Sequence, residues 1–387
     1  MSSLKRSIGF IHKTNISLSV RSLHTTLAAR APPIVPKRVH SPPRRMGVPR
    51  LPVQKIATAE ECLPPNNLLH SARKSGALNV EPVQAVEILQ EYQRQVSNPS
   101  PGWEKRICSD FSIQPETLTM LGRILNRCSS NGQRVLGKRL VLSASQLGDF
   151  QATYDLVESG LRTKSLEMQK SLVGPLSRLG LQAKKEDNPA AMVLLGKVLL
   201  SQNRPTEALE WFTKASKHPD QTFYGASEAL IQRGRMLLAS KDRDGAEQAF
   251  RKAAMDLDDP TGYFYLSQFQ EAGSPEQEVY LLKAASSGIV EAMHNLGNIE
   301  LAKINANPDA SKKKNIEDYG LAREWFQAAA MEGFGLSMLN MASICKSVGQ
   351  DDVAIQWVER AEALPEVDEL AKDLRKKWTI LDVGLAQ

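Results

Sequence analysis

Aromatic residues make up only 6% of this chain, and its 387 residues contain four cysteines. Those cysteines, Cys62, Cys108, Cys128 and Cys345, are separated by 46, 20 and 217 residues. No CxxC and no closely spaced pair of cysteine pairs occurs. That excludes a disulfide scaffold and gives no tetrahedral zinc spacing. Long apolar runs are also missing. Ala190 to Leu200 is the best stretch, and Lys197 interrupts it, well short of the roughly 18 apolar residues a membrane span needs. Catalytic motifs are absent too. Gly333-Phe334-Gly335 lacks the Lys-Ser/Thr of a phosphate loop, and Ser159-Gly160 has no nucleophile elbow around it. The expectation is a non-catalytic protein with no cofactor, no metal and no small-molecule substrate.

One sign of charge is missing from the start of the chain. Residues 1–59 hold 11 Lys/Arg and no Asp or Glu. The remaining chain holds 38 Lys/Arg against 43 Asp/Glu, so the overall charge of +6 belongs to the leader. A body of net negative charge gives no general signal for nucleic acid. DNA is not expected as a partner, and RNA is disfavoured. Ser, Thr and Arg mixed with Leu4, Ile8, Ile11, Leu18, Leu23 and Leu27 is the composition of a mitochondrial transit peptide. Arg21, Leu23 and Thr26 resemble the two-step matrix-processing pattern, which implies a mature start near Ala31. A matrix location follows, and peripheral attachment to the inner membrane is compatible with it. Nine prolines between 31 and 65 then predict an extended tether over 31–79.

From about residue 80 the apolar period is helical. Glu81–Val96, Pro115–Ser129 and Gln133–Leu147 read as helices, with a break at Asn98-Pro99-Ser100-Pro101-Gly102. Leu147-Gly148-Asp149-Phe150, with Ala152 and Leu156, is compatible with a degenerate repeat, so 80–188 forms an N-terminal helical region. A clear repeat then begins. Met192-x2-Leu195-Gly196-x2-Leu199 precedes Ala208-x3-Phe212-x2-Ala215, and Gly234, Leu237, Ala246, Phe250 and Ala253 follow 38 residues later in register. Further copies are Lys283-Ala284-Ala285-Ser286-Ser287-Gly288 before Ala292 to Gly297, then Ala322-x2-Trp325-Phe326-x2-Ala329-Ala330-x2-Gly333, then Ala354-x2-Trp357-Val358-x2-Ala361.

The first pair resembles the tetratricopeptide unit and the later copies its Sel1-like variant. That resemblance implies helix-turn-helix repeats over 189–364 in an all-α solenoid continuous from about 80 to 380. It also implies that Gly196 faces Ala208 at a close approach, while Phe212 fills the groove between units. Two departures are plain. Ser267 stands where Gly is expected, and the fourth unit carries 13 extra residues around Asn307-Pro308-Asp309 and Lys312-Lys313-Lys314. Glu366–Ile380, with Leu370, Leu374 and Trp378, reads as a capping helix within 365–387. Tyr319, Trp325 and Trp357 read as core aromatics.

Function in such stacks is usually the binding of protein or peptide clients. The resemblance places a concave groove on the first helix of each unit. One residue after the Gly position lie Lys197, Arg235, Gln268, Asn298 and Ser343. Three residues before it lie Val193, Ile231, Phe264, His294 and Leu339. The architecture resembles fungal mitochondrial assembly factors, implying a scaffold that aids assembly or insertion of inner-membrane proteins such as those of cytochrome oxidase. The alternative is an RNA-binding helical-repeat factor of mitochondrial gene expression. Its drawbacks are the acidic body and repeats longer than a 35-residue base-reading unit.

Overall fold

The computed structural model describes residues 62–385, apart from Glu167 and residues 307–314. The transit peptide, the processing pattern and the proline-rich run up to Glu61 lie outside the described residues, as does the centre of the 303–317 insertion. Among the described residues there are eighteen α-helices and no strand. The all-α reading therefore holds. Neighbouring helices pack in chain order, as an α-solenoid requires, and the chain divides by its contacts after Tyr224 into two compact units.

The first unit contains α1 (Asn66–Lys74), α2 (Pro82–Ser97), α3 (Trp103–Asp110), α4 (Pro115–Asn126), α5 (Asn131–Gln146), α6 (Phe150–Arg162), α7 (Val173–Lys184), α8 (Pro189–Ser201) and α9 (Pro205–Ser216). The tether predicted to reach residue 79 is too long. Helix α1 forms there, and Leu69 and Leu78 are fully buried in a core with Ile88, Leu89, Leu118 and Leu140. The proline pair Pro64-Pro65 ends where α1 begins, a place where a missing N–H breaks no helical bond. Prolines in the first turn also start α2, α4, α8 and α9. Asp149 caps α6 by accepting from the backbone N–H of Ala152 at 2.9 Å.

The second unit contains α10 (Ala226–Ala239), α11 (Arg243–Leu257), α12 (Pro260–Ser267), α13 (Pro275–Ser286), α14 (Val290–Ala306), α15 (Gly320–Met331), α16 (Gly335–Ser347), α17 (Asp351–Glu362) and α18 (Asp368–Leu385). Consecutive helices pair as antiparallel hairpins. Gly288 and Gly333 follow α13 and α15 with φ of +91° each, the left-handed cap that a Cβ would oppose. The predicted capping helix is α18, and Val367, Ala371 and Trp378 are buried against the last hairpin. Tyr319 and Trp357 are buried and Trp325 half-buried, as core aromatics should be.

Each recognisable repeat is keyed by one contact. A Cβ added to Gly196 would lie 2.8 Å from the Phe212 ring. At Gly234 the Phe250 ring would be 2.6 Å away, and at Gly297 the Phe326 ring also 2.6 Å. The aromatic ring therefore occupies the space a side chain would need. This corrects the expected pairing of Gly196 with Ala208: it is Phe212, in the same hairpin, that meets the glycine. Ala208, Ala215, Ala246, Ala253, Ala322 and Ala329 are all fully buried along the second helices. Small residues there let the two helices approach closely enough for the ring to reach the backbone. The unit lacking the glycine makes its close approach elsewhere. A Cβ on Gly262 would lie 2.7 Å from the backbone nitrogen of Ala254.

Candidate functional site

Nine of the ten groove positions sit on the first helices as expected and Gln268 caps the end of α12, but burial divides them. Val193, Ile231, Phe264, His294, Leu339 and Ser343 are buried, so they cannot line an open groove. At His294 the position three residues before the glycine points at the next hairpin of the second unit. The His294 ring lies 5.5 Å from Phe326 and 5.0 Å from Phe334, and its Nδ1 is 2.8 Å from the Ser337 hydroxyl. Burial pushes its pKa down to about 4, leaving a neutral ring almost closed to solvent. Ser343 is likewise closed off, its hydroxyl donating to the Leu339 carbonyl at 2.9 Å.

Of the other four, Arg235 is exposed, while Lys197, Gln268 and Asn298 are half-exposed. Lys197 is already engaged, with its ammonium 3.2 Å from Glu158 Oε1 on α6. A second bridge of the same kind joins α4 to α6, where Arg123 donates to both oxygens of Asp155 at 2.6 and 2.7 Å. The hydrogen bond to Asp155 raises the Arg123 pKa and fixes its charge. Arg123 follows Gly122 just as Lys197 follows Gly196. In the first unit, then, the position after the glycine ties one first helix to the next. Arg123, Asp155 and Glu158 escaped the sequence reading because α6 carries no Gly/Phe motif to set its register. The shared Gly-base pair at 122–123 and 196–197 was the available signal.

This arrangement changes what a substitution at Lys197 reports. Lys197→Glu places a carboxylate against Glu158, and Glu158→Lys places an ammonium against Lys197. Each single change should cost about 0.5–1 kcal/mol, since both groups are partly solvated. The double exchange should recover most of the loss. Thermal melts of the three variants check this, and two additive losses would remove the bridge from the account.

In the second unit the exposed positions form a short polar line. Arg235 on α10 lies close enough to the Tyr265 hydroxyl of α12 to oppose the upward pKa shift that burial gives it, while Glu291 of α14 adds to that shift. Asn298 on α14 accepts from Asn340 of α16 at 3.4 Å. In chain order the line is Arg235, Gln268, Asn298. Its two amides can each donate and accept, and the arginine supplies a cation. It can hydrogen-bond an extended or helical segment; it has no paired acid and base.

Nothing among the described residues adds a reactive centre to it. No group of three or more His, Cys, Asp or Glu side chains converges there to hold a metal ion. Burial raises the thiol pKa of Cys108, Cys128 and Cys345, which keeps them poor nucleophiles at neutral pH. No helix among the described residues is long and apolar enough to cross a membrane. A shallow depression of about 580 Å³ runs along α9, lined by Thr206, Leu209, Glu210, Thr213 and Lys214. One helix supplies all of its walls, so no groups converge in it.

No protein-family model and no curated protein sequence matches this chain. Among solved structures it is similar to the crystal structure of a Sel1 repeat protein from Oxalobacter formigenes. That likeness is 18% identical and covers 72% of this chain and 92% of the other, with a TM-score of 0.41.

Proposed function

We propose that this chain is a non-catalytic scaffold that binds segments of other proteins along the exposed first-helix positions of residues 225–385. The observation that carries the reading is the line Arg235, Gln268, Asn298. It is polar and accessible, and Arg235 and Asn298 each follow a glycine seated against a buried phenylalanine ring. A surface of that kind offers hydrogen bonds and one cation on rigid supports, which is what segment recognition needs.

The acid-free, arginine-containing leader supports a mitochondrial setting, on the matrix side, with peripheral contact to the inner membrane. In that setting the clients would be inner-membrane proteins under assembly or insertion, including respiratory-chain subunits. Binding of RNA is the second reading. It is favoured by one observation: residues 62–224 carry 20 Lys/Arg against 15 Asp/Glu, whereas residues 225–387 carry 18 against 26.

A single purification tests these statements together. The tagged chain, recovered from mitochondria with and without nuclease, should begin near residues 22–31 and retain its protein partners after nuclease. Arg235→Glu should reduce recovery of those partners about tenfold, because an exposed charge reversal changes binding far more than folding. Glu324→Lys, on the outer face of α15, should recover them as the parent does. An intact Met1 on a cytosolic pool overturns the location. Partners lost with nuclease favour RNA, and equal recovery by Arg235→Glu places the binding surface elsewhere.

A further inference from the structure

A long acid-free stretch among the described residues lies in the first unit. From Thr117 to Gly148 there is no Asp or Glu, while Arg123, Arg127, Arg134, Lys138 and Arg139 all fall there. Arg123 is taken by Asp155. Arg134, Lys138 and Arg139 stand exposed on α5 and make no ion pair with any described residue. The charges of Glu104 and Arg139 both bear on the buried Tyr92 hydroxyl, but the two do not pair with each other.

The order of residues on α5 gives this face a shape. At 100° per residue, Val135 and Leu142 stand seven apart and nearly in line along the outward side. Arg134 and Lys138 flank that seam on one side, and Arg139 and Gln146 on the other. Val135 is 45% exposed, and Leu142 is half-buried beside it. The opposite side, with Leu136, Leu140 and Ala144, is buried in the core. Sixteen residues make the face about 24 Å long. An ordinary solvated helix face carries both signs of charge. This one carries one sign around an apolar seam.

We propose that the outward face of α5 docks an acidic amphipathic helix of a partner protein. The apolar stripe of that helix would cover Val135 and Leu142, and its carboxylates would meet the cations on both sides. Two of the three cations are arginines, whose planar forks donate bidentately to carboxylates. A lipid surface fits less well, because interfacial binding needs an apolar face that sinks 5–10 Å, and here the seam is a single valine beside a half-buried leucine. Single-stranded RNA fits less well too, because the face offers no aromatic ring for a base to stack on.

The test uses the full-length chain and a fluorescein-labelled synthetic helix with a leucine seam flanked by glutamates. Its partner probe has lysines in place of the glutamates. Anisotropy should show the acidic probe binding the parent and weakening as salt rises. The triple variant Arg134→Glu/Lys138→Glu/Arg139→Glu should bind the acidic probe at least about tenfold more weakly and take up the lysine probe instead. Val135→Asp alone should weaken the acidic probe to a similar degree, and as a single surface change it keeps the test independent of the triple variant's folding. Unchanged affinity in both variants overturns the proposal. So does binding of single-stranded RNA, or of vesicles containing phosphatidylglycerol, through these three cations while the acidic helix is ignored.

Discussion

Phe326→Ala should destabilise the second unit by about 3–5 kcal/mol, the range for removing a fully buried phenylalanine from a packed core. The ring is fully buried and would lie within 2.6 Å of any Cβ on Gly297. It fills the space between two helices with no other group placed to replace it. Gly297→Ala attacks the same contact from the other side, forcing a methyl group into the ring, and should cost about 1–3 kcal/mol by overpacking. The informative variant is the double, Gly297→Ala with Phe326→Leu. A smaller side chain makes room for the methyl group, so the combined loss should fall below the sum of the single losses by more than about 0.5 kcal/mol. Urea melts of the parent, Gly297→Ala, Phe326→Leu and the double variant close the cycle. Additive losses would mean that ring and glycine do not share one space, and the repeat register would have to be redrawn.

That register was readable because its defining contact lies inside one hairpin. Gly196 and Phe212, or Gly234 and Phe250, are sixteen residues apart, and the 38-residue recurrence marks them directly on the sequence. What each hairpin presents to its neighbour was not readable in the same way. Whether Val193, Ile231 or His294 faces a groove or the next unit depends on how the units stack, and periodicity within one helix carries no information about that. The polar positions survived better. Arg235, Gln268 and Asn298 reach solvent as expected, since a charged or amide side chain is rarely left in an unpaired interior. Lys197 was placed on the correct face but assigned to a partner when Glu158 already holds it. The fold of residues 62–79 was hidden by composition. Proline density masked Leu69 and Leu78, two anchors sufficient to hold a short helix against α2.

Acid should loosen the second unit through His294, and the direction follows from its surroundings. The ring is buried against Phe326 and Phe334, with Ser337 as its polar neighbour. Burial alone depresses its pKa to about 4, from an ordinary value near 6.5 in the unfolded chain. Between those two values the unfolded chain binds a proton that the folded one refuses. Stability is therefore complete above about pH 6.5 and declines as the pH falls, reaching its full loss below about pH 4. The slope approaches 1.36 kcal/mol per pH unit, so the total is on the order of 3 kcal/mol. His294→Gln keeps a group able to bond Ser337 but cannot take the proton. It should lower stability at pH 7.5 through imperfect packing, yet remove most of the decline between pH 6.5 and 4.5. Carboxylates titrate in both proteins alike, so the difference between the two curves isolates the histidine. Equal slopes would mean that His294 takes its proton in the folded state, which the two flanking aromatic rings and the lack of a carboxylate partner among the described residues argue against. The same measurement bears on the groove: a histidine that titrated normally would have to reach solvent, and the position three residues before each glycine would then be open to a client after all.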